Sequence, residues 1–220
     1  MNNFENWLLK NITLHTHDNK QEEFWNGLTH LFGSILSVVG LILLLLKDYE
    51  TPHMIGATLV YSISMLLLFS ASTTYHWVQN PLLKRIGRIL DHSNIYLLIA
   101  GTYTPMAFFV GGKMGVGIIL VEWILAFLGI IFTLKFWGKL KPLHIMFYLL
   151  MGWMIVFIWS DFTQMVPVNF AKLVILGGFF YTIGVVIYSL KKVPFYHAVW
   201  HVFVAGGAMS MFVAIYKYIV

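Results

Sequence analysis

Cysteine is absent from the 220 residues. No disulfide framework therefore holds the chain, and any metal site in it must use histidine and carboxylate ligands. Charge is scarce as well. Asp, Glu, Lys and Arg make up 10% of the residues, against about a quarter in a soluble domain. Hydrophobic residues make up 59% and mean hydropathy is +0.79. A water-soluble globule of this size has too little polar surface to cover itself, which excludes a soluble enzyme. The same apolar content excludes a disordered chain. Period-2 alternation, the mark of a membrane β-barrel, is missing too. So are internal repeats and low-complexity stretches. The net charge of +5 raises the question of nucleic acid. Basic residues spread along a membrane-type chain instead mark the loops that face the cytoplasm, so no nucleic-acid partner is expected.

Long apolar runs are what the sequence does contain. A helix needs about 20 mostly apolar residues to cross the hydrocarbon core. Seven runs qualify: 25–46, 53–73, 92–111, 115–134, 143–160, 171–190 and 198–218. The breaks carry turn or charge signals: Lys47-Asp48-Tyr49-Glu50 with Pro52, Asn80-Pro81, Gly111-Gly112-Lys113, Lys139 to Pro142, Asp161 to Pro167, and Lys191 to Pro194. The fifth run is short and ends at Ser160-Asp161. The first run follows a polar stretch and lacks a small-residue cleavage site, so it reads as a retained helix rather than a signal peptide. The expected fold is an all-α membrane protein, a seven-transmembrane helix bundle. Residues 1–23 form an N-terminal tail and residues 24–220 form the single transmembrane domain. Glycines within the spans, among them Gly33, Gly40, Gly129, Gly152, Gly177, Gly178, Gly206 and Gly207, suit close helix packing.

Orientation follows from the basic residues. Lys10, Lys20, Lys84, Arg85, Arg88, Lys135, Lys139, Lys141, Lys191 and Lys192 fall on one side, and only Lys47, Lys113, Lys172 and Lys217 on the other. The ten-to-four bias places the N-terminus in the cytoplasm and the C-terminus outside. The expected location is the cell membrane, plasma or inner, with lipid as the surrounding partner.

Ionisable groups inside a membrane are costly and therefore mark function. His30, His76, Asp91, His92, Glu122, His197 and His201 are the candidates, and His144 reads as interfacial. On this topology His30, His76, Asp91 and the pair His197 and His201 fall at the cytoplasmic ends of four separate spans. His197-x-x-x-His201 puts two imidazoles on one helix face, where they can share a metal ion. Two histidines at a helix end also bond to headgroups or carbonyls, so the spacing alone does not decide. His76 at the same depth completes the three-ligand pattern of catalytic zinc, and Asp91 can act through a water as general base. Zinc suits an all-imidazole site without thiolate. Ser72 lies four residues before His76, on the same face. Its hydroxyl either orients a ligand or bonds to its own i−4 carbonyl. His92 points about 100° round the helix from Asp91 and reads as interfacial. Glu122 has no partner visible in the sequence, and neither it nor His30 is given a role.

These residues match a family pattern. Ser72-x-x-x-His76, Asp91-x-Ser93 and His197-x-x-x-His201 resemble the progestin and adipoQ receptor family. Glu23-x-x-Asn26-x-x-Thr29-His30-x-x-Gly33 and Gly101-Thr102-Tyr103-Thr104-Pro105 fit as well. The short tail and small loops resemble its bacterial hemolysin III branch rather than the adiponectin receptors. The resemblance implies zinc on His76, His197 and His201, with Asp91 contacting it through water. It also implies, more remotely, hydrolysis of a lipid amide. The leading reading is a zinc-dependent hydrolase of a lipid amide or ester, with Asp91 as general base and Ser72 helping to stabilise the oxyanion. Two alternatives stand beside this. One is a non-enzymatic membrane sensor with a structural zinc; the other is a cytolytic protein. Against the last, the spans offer few polar residues to line a pore.

Overall fold

Side-chain caps start three of the helices in the computed structural model, which describes residues 2–14, 19–47, 49 and 52–220, with backbone alone at 141 and 142. Asn2 caps α1 (Asn3–Asn11) and Asn19 caps α2 (Lys20–Leu45), each in a reciprocal capping box, with Glu5 and Glu22 respectively. Asn80 accepts from the N–H groups of Leu82 and Leu83 and, with Pro81 at the first position, starts α4 (Pro81–Val110). Pro52 opens α3 (Pro52–Trp77). Gly111, at φ 66°, ends α4 and lets the chain turn at once into α5 (Gly112–Lys135). The fifth span is α6 (Lys141–Gly152), a 3₁₀ segment (Met154–Ile158) and α7 (Trp159–Met165). Then come α8 (Val168–Ser189) and α9 (Tyr196–Tyr218). No strand occurs among the described residues.

The chain is a seven-span membrane protein. Among the described residues, seven segments are long and apolar enough to cross, and each overlaps one of the expected runs. Their outer faces are apolar: Phe32, Ile35, Val39 and Ile42 on α2, and Leu120, Ile124, Phe127 and Ile131 on α5, are all exposed. Such stripes suit lipid and not water. Helices adjacent in sequence pack together from α2 to α5, and α9 packs against both α8 and α2, which closes the bundle. At Gly33 a Cβ would stand 2.5 Å from the Phe69 ring, and at Gly129 it would collide with Tyr96. Glycine there is what lets α2 approach α3 and α5 approach α4. Gly152 meets nothing and has no such role.

Three features differ from the expectation. First, α4 begins at Pro81, not near residue 92. At 30 residues it is about 45 Å long, more than the hydrocarbon core of about 30 Å. Its polar first turns escape an apolar-run criterion. Second, the fifth span is broken. The Tyr103 hydroxyl donates to the Gly152 carbonyl at 3.0 Å and accepts from the Ile155 N–H at 3.1 Å. A side chain from α4 thus occupies the backbone groups that an unbroken helix would pair. Third, the expected tail contains α1. Leu8 and Ile12 are buried, Arg85 donates to the Ile12 carbonyl at 3.0 Å, and Arg88 donates to the Thr13 carbonyl. Asp48 and Glu50 of the first break lie outside the described residues. Beside them, Lys47 donates to the Val220 carbonyl at 3.2 Å.

Candidate metal centre

The first turns of α9 are placed by one carboxylate. Phe195 precedes the helix in a left-handed conformation (φ 56°) and donates its N–H to Glu22 Oε1 at 3.2 Å. The other oxygen of Glu22 accepts from the Asn19 N–H at 3.1 Å. The starts of α2 and α9 are therefore tied together. From this point α9 projects His197 and His201 on one face, towards His76 in the last turn of α3. Ring centroids are 4.6 Å apart for His197–His201, 4.9 Å for His76–His197 and 5.2 Å for His76–His201. One ligand atom from each ring lies within 4.8 Å of the others. All three side chains are buried.

Hydrogen bonds set the tautomers. His76 Nδ1–H donates to Glu23 Oε2 at 3.0 Å, and His201 Nδ1–H donates to the Asn26 carbonyl at 3.0 Å. The Thr29 hydroxyl lies 3.2 Å from the same His201 nitrogen. The Nε2 lone pairs of both rings are thus left for a ligand. His76 Nε2 is buried without a hydrogen-bond partner, a costly state unless something coordinates there. Zinc at about 2.0–2.1 Å holds its nitrogens about 3.4 Å apart, so small ring rotations suffice to close the triad. The donor set fits a metal ion.

Asp91 enters from α4 at the same end of the bundle. It is buried, pairs with His92 Nδ1 at 3.5 Å, and lies within electrostatic reach of His76 and His30. The hydroxyl of Ser72, fully buried on α3, approaches the Asp91 carboxyl without reaching hydrogen-bond geometry. Ser72, His76, Asp91, His197 and His201 are therefore brought together from three helices. Asp91, His197 and His201 line a cavity of about 310 Å³, together with His30, His92 and His144. A smaller apolar chamber of about 90 Å³ adjoins it, with Leu68, Ile95, Tyr148, Val185, Trp200 and Val204 lining both. The space is amphipathic, with the imidazoles and carboxylate at one end.

Residues 19–212 match the sequence model of the family described as haemolysin-III related. This chain belongs to that family. Hemolysin-3 of Bacillus cereus is 37% identical over 202 residues, covering 90% of this chain and 92% of the relative. A hemolysin-3 homolog of Bacillus subtilis is 38% identical, covering 91% and 95%. The human monocyte to macrophage differentiation factor is 29% identical, covering 88% and 83%. The family match takes in every candidate site residue and leaves α1 outside.

In this haemolysin-III chain the site holds more than the sequence reading assigned. His92 and His144, which read as interfacial, line the cavity as well, with His144 Nδ1 3.2 Å from the Thr133 hydroxyl. His30 stacks on His201 with centroids 3.5 Å apart, and neither of its ring nitrogens has a hydrogen-bond partner. Glu23 had no assigned role and binds His76. The available signal was the i, i+3, i+7 spacing of Glu23, Asn26 and His30, which shares one helix face. Glu122 is fully buried on α5, with neither oxygen hydrogen-bonded, and does not line the cavity.

Proposed function

We propose that this chain is a zinc-dependent hydrolase of an amide or ester bond in a membrane lipid. The observation that carries the reading is the cluster of three buried imidazoles, two of which line with Asp91 a cavity that adjoins an apolar chamber. His76, His197 and His201 are the ligands. Three protein ligands are the number found in catalytic zinc sites, which keep a position for water. Zinc held there supplies a Lewis acid that makes a water nucleophilic near neutral pH. Asp91 takes the proton of the attacking water and passes it to the leaving group. Ser72 donates its hydroxyl to the oxygen on which negative charge develops. The apolar chamber receives the acyl tail. The bias of basic residues supports placing this end of the bundle at the cytoplasmic face.

The test is metal content of the detergent-purified protein together with incubation against lipid amides and esters. About one zinc per chain and release of free fatty acid are expected. One zinc without any hydrolysis favours a structural clamp that joins α3 to α9. A folded parent protein that binds no zinc removes both readings.

The names of the Bacillus relatives favour a second reading, a cytolysin. A pore needs a hydrophilic lining across the membrane. Here the polar cavity gives way to a chamber lined by Leu98, Met106, Val174 and Met211. Purified protein added to dye-loaded liposomes is therefore expected to cause no leakage at any protein-to-lipid ratio. Dose-dependent release would establish the lytic reading instead.

A further inference from the structure

We infer that Glu23, on a helix that supplies no metal ligand, is the residue that positions His76 for the metal; this rests on the metal reading above. Three contacts form a closed set. Glu23 Oε2 accepts from His76 Nδ1 at 3.0 Å and from Lys84 Nζ at 3.1 Å, and Lys84 Nζ also donates to the His76 carbonyl at 3.1 Å. One carboxylate oxygen thereby joins α2, the end of α3 and the start of α4 around a single imidazole.

The backbone is shaped to deliver it. One turn after Glu23, Gly27 lies against the Trp77 indole, where a Cβ would collide. The indole N–H donates to the Phe24 carbonyl at 3.3 Å. The glycine lets α2 come close to α3 beside Glu23 and His76. A carboxylate on the remote nitrogen of a ligating histidine does two things. It holds the ring so that Nε2 points at the metal, and it raises the basicity of that nitrogen. His201 Nδ1 meets neutral groups of the same helix, the Asn26 carbonyl and the Thr29 hydroxyl, whereas His76 receives a carboxylate. The competing explanation is that Glu23 serves only to pair Lys84. That pair is partly exposed, at 17% and 19%, and partly exposed pairs contribute little.

The test measures zinc affinity of the full-length protein in detergent by competition with a fluorescent chelator, and separately the melting temperature of the metal-free protein. Glu23→Ala is expected to bind zinc about 10–100-fold more weakly, with the metal-free melting temperature unchanged. Glu23→Gln keeps an acceptor without the charge and is expected to fall between Glu23→Ala and the parent. It also decides the matter should Glu23→Ala not fold. Lys84→Met is expected to leave affinity close to that of the parent. Parental affinity in Glu23→Ala or Glu23→Gln overturns the positioning role and leaves the metal reading intact. So does an equal loss in Lys84→Met, which would make the ion pair the operative contact. A parent protein that binds no zinc overturns both.

Discussion

Replacing His76 or His201 by alanine empties the metal centre. Apparent binding free energies of zinc to protein sites are about 10–16 kcal/mol. Shared among three imidazoles, each ligand carries on the order of 3–5 kcal/mol, so losing one weakens binding by roughly 10²–10³-fold or more. Washing with a mild chelator then strips the ion. His76 and His201 are buried on different helices. Mass-spectrometric metal analysis after gel filtration reads the result, with helical circular dichroism confirming the fold. Stoichiometric zinc in either variant overturns the triad.

Asp91→Asn separates binding from chemistry. The amide matches the carboxylate in shape, so α4 and its packing stay as they are, and the three imidazoles are untouched. What is lost is the ability to accept a proton. Removing a general base costs about 10²–10⁴-fold in rate. The expected outcome is parental zinc content with lipid hydrolysis reduced by that factor. Full activity would end the base role. Loss of zinc would mean that Asp91 coordinates directly, which closes the site and favours the structural clamp over the hydrolase.

The spans were legible because a hydrocarbon core imposes a length and a composition on any segment that crosses it, and both can be read without knowing what the segment touches. What lay outside the core was not legible in that way. The first turns of α4, from Pro81 to Leu90, are polar enough to read as a loop, yet they continue the helix. α1 has nine residues, too few to stand out, and depends on Leu8 and Ile12 finding a surface on the bundle. The break in the fifth span comes from the Tyr103 hydroxyl, 49 residues before Gly152 in sequence.

The site divides the same way. His197 and His201 announce themselves through local spacing, since one turn of helix puts i and i+4 on one face. His76 and Asp91 follow from being ionisable at span ends on one side. These are statements about periodicity and depth, and the sequence by itself determines both. That Glu23 binds His76, that Glu22 joins the starts of α2 and α9, and that His92 turns onto Asp91 were decided only by the tertiary structure. Each such contact depends on the rotation of one helix about its axis relative to another. That rotation is set by which small residues let which helices approach, as Gly27 does for Trp77 and Gly33 for Phe69. Packing between neighbours fixes it, and no single helix encodes it alone.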